Sequence, residues 1–179
     1  MKPLASLIRA IDTTNENIGR VVAWVALTMV LVQFIVVVMR YVFGIGSIMM
    51  QESVVYMHAI LFMVGAGYTL LHGGHVRVDV FYRDASPRRK ALVDLAGGFV
   101  FLLPVCLLIV WSSWTYVASS WRVFEGSKET SGIQGVFLLK TVILVFAVLV
   151  MLQGVSLILK SLLTLYGTPP VDAGEDAGA

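Results

Sequence analysis

Long apolar runs alternate with short polar stretches along this chain, and the lengths of the runs decide its class. Residues 21–39, 54–71, 92–117 and 136–163 carry very few charges. Each is close to or longer than the roughly 20 residues that a helix needs to cross a bilayer. The pattern predicts an all-α membrane protein with four transmembrane helices, over about 14–43, 52–72, 87–120 and 135–166. The third and fourth exceed the minimum span, so tilt or protrusion is expected. The first run is long and no small-residue cleavage motif follows it, so it reads as a retained helix rather than a signal peptide.

Between the runs, turn chemistry marks the boundaries. Leu4, Leu7, Ile8 and Ile11 recur at helical spacing beside Lys2 and Arg9, which predicts a short amphipathic interfacial helix over 1–13. Thr13 and Glu16 have the spacing of a capping box that would start the first membrane helix. Gly44 and Gly46 end that helix, and a loop carrying Gln51-Glu52 is expected to lead into the second. Gly73-Gly74 end the second, and Pro87 suits the first position of the third. Pro104 lies inside the third helix and predicts a kink. Residues 167–179 are acidic and small, the composition of a disordered tail.

Composition confirms the class. Hydrophobic residues make up 58% of the 179 and charged residues 13%, against about 25% charged in soluble domains. The net charge of +2 and the lack of a basic cluster interleaved with aromatics argue against a nucleic-acid partner. The single cysteine, Cys106, can form neither an internal disulfide nor a cysteine metal site. Nine of the 13 Lys and Arg, from Lys2, Arg9 and Arg20 through Arg77–Lys90 to Lys160, flank one side of the spans. Arg40, Arg122, Lys128 and Lys140 flank the other. The positive-inside bias predicts that both termini are cytoplasmic, with the 40–53 and 118–135 loops facing outward.

Polar groups inside an apolar span are costly and worth weighing singly. Gln33 and His58 fall at similar depth on neighbouring helices. An interhelical hydrogen bond between them is the plainer expectation, and a proton or ion relay the alternative. His58 and His72 are spaced to stack two haems, but no other helix offers an axial histidine. Asp94, Lys140 and Lys160 suit interfacial anchors, and Trp111, Trp114 and Trp121 an aromatic belt. Gly65-Ala66-Gly67 and Ala96-Gly97-Gly98 allow close helix approach, either to each other or to a partner subunit. No nucleophile–base pair, phosphate loop or metal cluster is apparent, so no enzyme, no catalytic residue, no metal and no cofactor are expected.

Several motifs carry a family resemblance. They are Arg40-Tyr41-Val42-Phe43, Gln51-Glu52, Gly65-Ala66-Gly67-Tyr68-Thr69-Leu70 and Gly74-His75-Val76-Arg77-Val78-Asp79. Glu125-Gly126-Ser127-Lys128-Glu129-Thr130-Ser131-Gly132 before Leu138-Leu139-Lys140 also belongs with them. Together they make most of residues 15–165 resemble the small membrane subunit of tripartite ATP-independent periplasmic (TRAP) transporters. Met50 departs from the tryptophan many members carry there.

The resemblance implies a multi-pass inner-membrane subunit of a sodium-coupled organic-acid transporter. Its partners would be a large elevator subunit, a periplasmic substrate-binding protein and membrane lipids. The helix-two and outer-loop pattern most resembles the branch associated with 2-oxo acids and related carboxylates. On that reading Gly65, Gly67, His75, Arg77, Asp79 and Arg83 are candidates for the subunit interface. Glu52, Arg122, Glu125, Lys128 and Glu129 are candidates for docking the binding protein, and Gln33 and His58 for the interhelical pair. A membrane scaffold outside transport and a haem-bearing anchor of an oxidoreductase are the alternatives.

Overall fold

A computed structural model describes residues 2–75 and 85–167. Four helices long and apolar enough to cross a membrane make up nearly all of them. They are α1 (Lys2–Tyr41), α2 (Ile48–Leu71), α3 (Pro87–Arg122) and α4 (Val136–Leu165). Successive helices run antiparallel, so residues 2 and 167 lie at one end, here the terminal end, opposite the loop end.

Two starts differ from the sequence expectation. The helix does not begin at Thr13: α1 is continuous from Lys2, and at about 1.5 Å per residue its 40 residues reach roughly 60 Å, twice the hydrocarbon thickness. The amphipathic stretch is therefore the first turns of α1, and Ile8 and Ile11 are buried against protein. Likewise Gln51 and Glu52 lie within α2, not in a loop, because Ser47 in an extended conformation accepts the Met50 N–H and caps the helix earlier. The end of α2 follows the Gly signal: Gly73 adopts φ +63, Gly74 N–H closes on Thr69 O at 2.8 Å and Gly73 N–H on Leu70 O at 3.2 Å. This pair of bonds satisfies carbonyls that the last turn leaves open.

The four helices do not form a closed bundle. α4 packs against all three others, while α1, α2 and α4 also pack mutually. α3 packs on α4 and makes no comparable contact with α1 or α2 among the described residues. The small residues follow this plan. A Cβ on Gly67 of α2 would lie 2.2 Å from Asn15 Oδ1 of α1 and 3.4 Å from Leu149 of α4. A Cβ on Gly154 of α4 would lie 2.2 Å from Leu102 of α3. So the glycines of α2 and α3 do not meet each other: Gly67 and Gly98 each approach α4, at Leu149 and Ile158, while Gly65 lies beside Val22 of α1 and Gly97 meets nothing within 4 Å.

Two helices contain a wide π turn, Ile60–Val64 in α2 and Gly98–Leu102 in α3. In α3 the Leu103 N–H reaches back to Gly98 O, one turn before Pro104. Proline lacks the N–H for the helical ladder and its ring presses on the carbonyl four residues back. The widened turn next to Pro104 is where the helix absorbs that defect.

Candidate functional site

At the terminal end, polar residues on α1 and α4 interlock. Asp12, Asn15 and Glu16 recur at i, i+3 and i+4; Gln153, Ser156 and Lys160 recur at i, i+3 and i+7. Both spacings select one helix face. Antiparallel packing then brings Asn15 opposite Gln153 and Asp12 opposite Lys160. Asn15 Nδ2 donates to Gln153 Oε1 at 2.8 Å, and Gln153 Nε2 donates to Asp12 Oδ1 at 2.9 Å. Ser156 Oγ donates to the same oxygen at 2.7 Å, and Lys160 Nζ lies 2.8 Å from Asp12 Oδ2. Asn15, Gln153 and Ser156 are buried. Asn15 Oδ1 has no hydrogen-bond partner and abuts Gly67.

A second, more exposed cluster joins α1 to the end of α2. Glu16 accepts from Arg20 Nε at 2.9 Å and shares a 2.6 Å hydrogen bond with His72 Nε2. The His72 ring rests on Tyr68, with centroids 4.3 Å apart. His75 is exposed just beyond the glycine cap. Arg77, Asp79 and Arg83 lie outside the described residues.

At the loop end, Glu52 of α2 holds the connection between α3 and α4. It accepts from Ser127 Oγ and, at 2.6 Å, from the Ile133 N–H. Glu125 pairs with Lys140, whose ammonium also sits 4.0 Å over the Tyr116 ring. The Lys140 ammonium holds the Glu125 carboxyl below the usual carboxylate range. Trp121, Phe124 and Phe137 form an edge-to-face cluster with centroids 4.7–6.4 Å apart, and Trp121 Nε1 donates to Thr141 at 2.8 Å. Arg122, Lys128 and Glu129 are exposed and form no ion pair among the described residues.

Midway, Gln33 and His58 line one groove of 290 Å³ between α1 and α2, with Met29, Val30 and Val54. They make no hydrogen bond to each other or to any other described residue. The His58 ring instead rests on Phe62, centroids 4.6 Å apart. The expected direct pair is thus replaced by two unpaired polar groups sharing an opening. No three His, Cys, Asp or Glu side chains among the described residues converge on a metal position.

Residues 29–164 match the family described as tripartite ATP-independent periplasmic transporters, DctQ component. The chain belongs to that family. A relative in Vibrio cholerae serotype O1 (strain ATCC 39315 / El Tor Inaba N16961), named C4-dicarboxylate TRAP transporter small permease protein DctQ, is 33% identical over 88 residues. The aligned part is 49% of this chain and spans 38% of the relative's length. No solved structure matches.

This DctQ-family subunit, a multi-pass inner-membrane component, distributes the residues singled out in its sequence unevenly. Gly67 is buried inside the chain, and Gly65 is half-buried beside Val22, so the close approach that Gly67 permits is within the subunit. Of the five acidic and basic candidates at the loop end, Glu52 and Glu125 hold the loop's own structure; Arg122, Lys128 and Glu129 remain outward. Trp111 and Trp114 are exposed, while Trp121 packs into the loop. Sequence reasoning missed the network of Asp12, Asn15, Gln153, Ser156 and Lys160. Its signal was Gln153, an amide inside the fourth apolar run.

Proposed function

We propose that this chain is the small permease subunit of a sodium-coupled, binding-protein-dependent TRAP transporter for an organic acid. It extends the static scaffold against which a large elevator subunit moves, and its outer loop helps dock a periplasmic binding protein. The observation that carries the reading is the loop over residues 123–135. Glu52, the Glu125–Lys140 pair and the aromatic cluster tether it, and Arg122, Lys128 and Glu129 project from it. Charges on a fixed platform can steer encounter and set register, which the same charges on a loose loop do poorly. Both termini then lie in the cytoplasm, where His75, Arg77, Asp79 and Arg83 contribute to the contact with the large subunit and with lipid phosphates. The Vibrio cholerae relative is named for C4-dicarboxylates; the loop pattern here favours 2-oxo acids and related carboxylates.

The test is reconstitution with the large subunit and binding protein. Reversing the charges with Lys128→Glu and Glu129→Lys is expected to lower uptake at limiting binding protein while leaving subunit assembly intact, and the defect shrinks as salt rises. An unchanged dependence on binding-protein concentration removes the docking role. Competition of uptake by C4-dicarboxylates against 2-oxo acids decides the substrate class.

A further inference from the structure

Gln33 and His58 are exposed on the outer surface of the helical domain, within its apolar belt, and neither has a hydrogen-bond partner among the described residues. Some polar side chains on exposed helix faces solve this problem locally. Thr28 donates to Trp24 O at 3.0 Å and Ser112 to Ile109 O at 3.3 Å, each on its own helix. Gln33 lies seven residues from Arg40, roughly 10 Å along the axis, too far for its amide to reach a headgroup. An amide and an imidazole left unpaired in hydrocarbon are strongly disfavoured.

Resting on the reading above, we propose that the groove between α1 and α2 is the seam that receives a transmembrane helix of the large subunit. That helix places one hydroxyl, amide or carboxyl side chain between Gln33 and His58. The amide offers a donor and an acceptor and the imidazole two ring nitrogens, so one such group bridges both. An acyl chain supplies no hydrogen bond, and a phosphate headgroup stays at the surface. The alkyl walls of Met29, Val30 and Val54 exclude lipid and water from the bridge once the helix is seated. The outward face of α3 is apolar through its middle, with Phe99, Phe101, Leu108 and Trp111 and with Thr115 towards the loop end, and is left to lipid.

The experiment uses the assembled membrane complex carrying a photocrosslinking benzoylphenylalanine at Val30 or, separately, at Leu108. An adduct with the large subunit from Val30 and none from Leu108 is expected. Gln33→Leu with His58→Leu is expected to lower the co-purified large subunit about tenfold, without lowering the thermal midpoint of the isolated small subunit. Gln33→Asn retains most of the association. Large-subunit adducts from Leu108 alone, adducts from Val30 only with lipid or with a second copy of this chain, or undiminished co-purification of the Leu variant each overturn the seam. If the wild-type chain brings down no large subunit at all, the transporter reading itself fails, and the seam with it.

Discussion

The Asp12 carboxylate of α1 and the Lys160 ammonium of α4 lie 2.8 Å apart, across 148 positions of sequence, and Ser156 and Gln153 fill the carboxylate's second oxygen. A charge pair here is held by neutral donors rather than left to bulk solvent. Both side chains are partly exposed, 17% for Asp12 and 26% for Lys160, so water meets part of the loss and breaking the pair costs about 1 kcal/mol. Asp12→Ala and Lys160→Ala are each expected to destabilise the purified subunit by that amount. The double variant is expected to cost less than the sum of the two, because the residues share one interaction. Thermal unfolding in detergent measures all three.

Gly67→Ala places a methyl 2.2 Å from Asn15 Oδ1, so α1 and α2 must separate or Asn15 must leave Gln153. Overpacking of this kind costs about 1–3 kcal/mol. Gly97→Ala meets nothing within 4 Å on the same scale and gains helix propensity, so it is expected to be neutral or stabilising by up to about 1 kcal/mol. The two variants, melted side by side, separate a packing glycine from a tolerated one.

The Glu125–Lys140 pair predicts a pH response of the loop. Lys140 lowers the folded-state pKa of Glu125 below its unfolded value. Its contribution is therefore complete above the unfolded pKa and is lost as pH falls through the lower, folded one. The protection factors of residues 126–135, which remove the intrinsic pH dependence of amide exchange, are expected to be constant around neutrality and to fall only in the acid range. Glu125→Gln removes that part of the pH dependence while leaving the contribution of Glu52.

Reporter fusions after Gly126 and after Ala179 are expected to give opposite signals, periplasmic and cytoplasmic. The asymmetry of Lys and Arg across the spans sets this orientation. A periplasmic signal at Ala179 reverses it.

Four spans were legible because apolar length is a direct physical requirement of the bilayer. The starts of α1 and α2 were not, because polar residues that elsewhere mark loops serve there as contacts inside the protein. Asp12, Asn15 and Glu16 belong to α1 because α4 and His72 supply their partners, and Glu52 belongs to α2 because the far loop does. The glycines announced close packing but not with whom, since helices consecutive in sequence, such as α2 and α3, are not neighbours here. Gln33 and His58 line one groove. Their lack of a mutual bond depends on side-chain direction, which spacing does not supply.

The attachment of α3 to α4 alone, among the described residues, has a consequence for synthesis. Helices of a membrane protein enter the bilayer in order, as the ribosome makes them. α1 and α2 can pair as soon as both are inserted. α3 then has no surface on which to settle until α4 follows it, so it must tolerate a period as a solitary span. An outward side built from Phe99, Phe101, Leu108 and Trp111 suits that wait, and α4 arrives last to join an existing hairpin to a waiting helix.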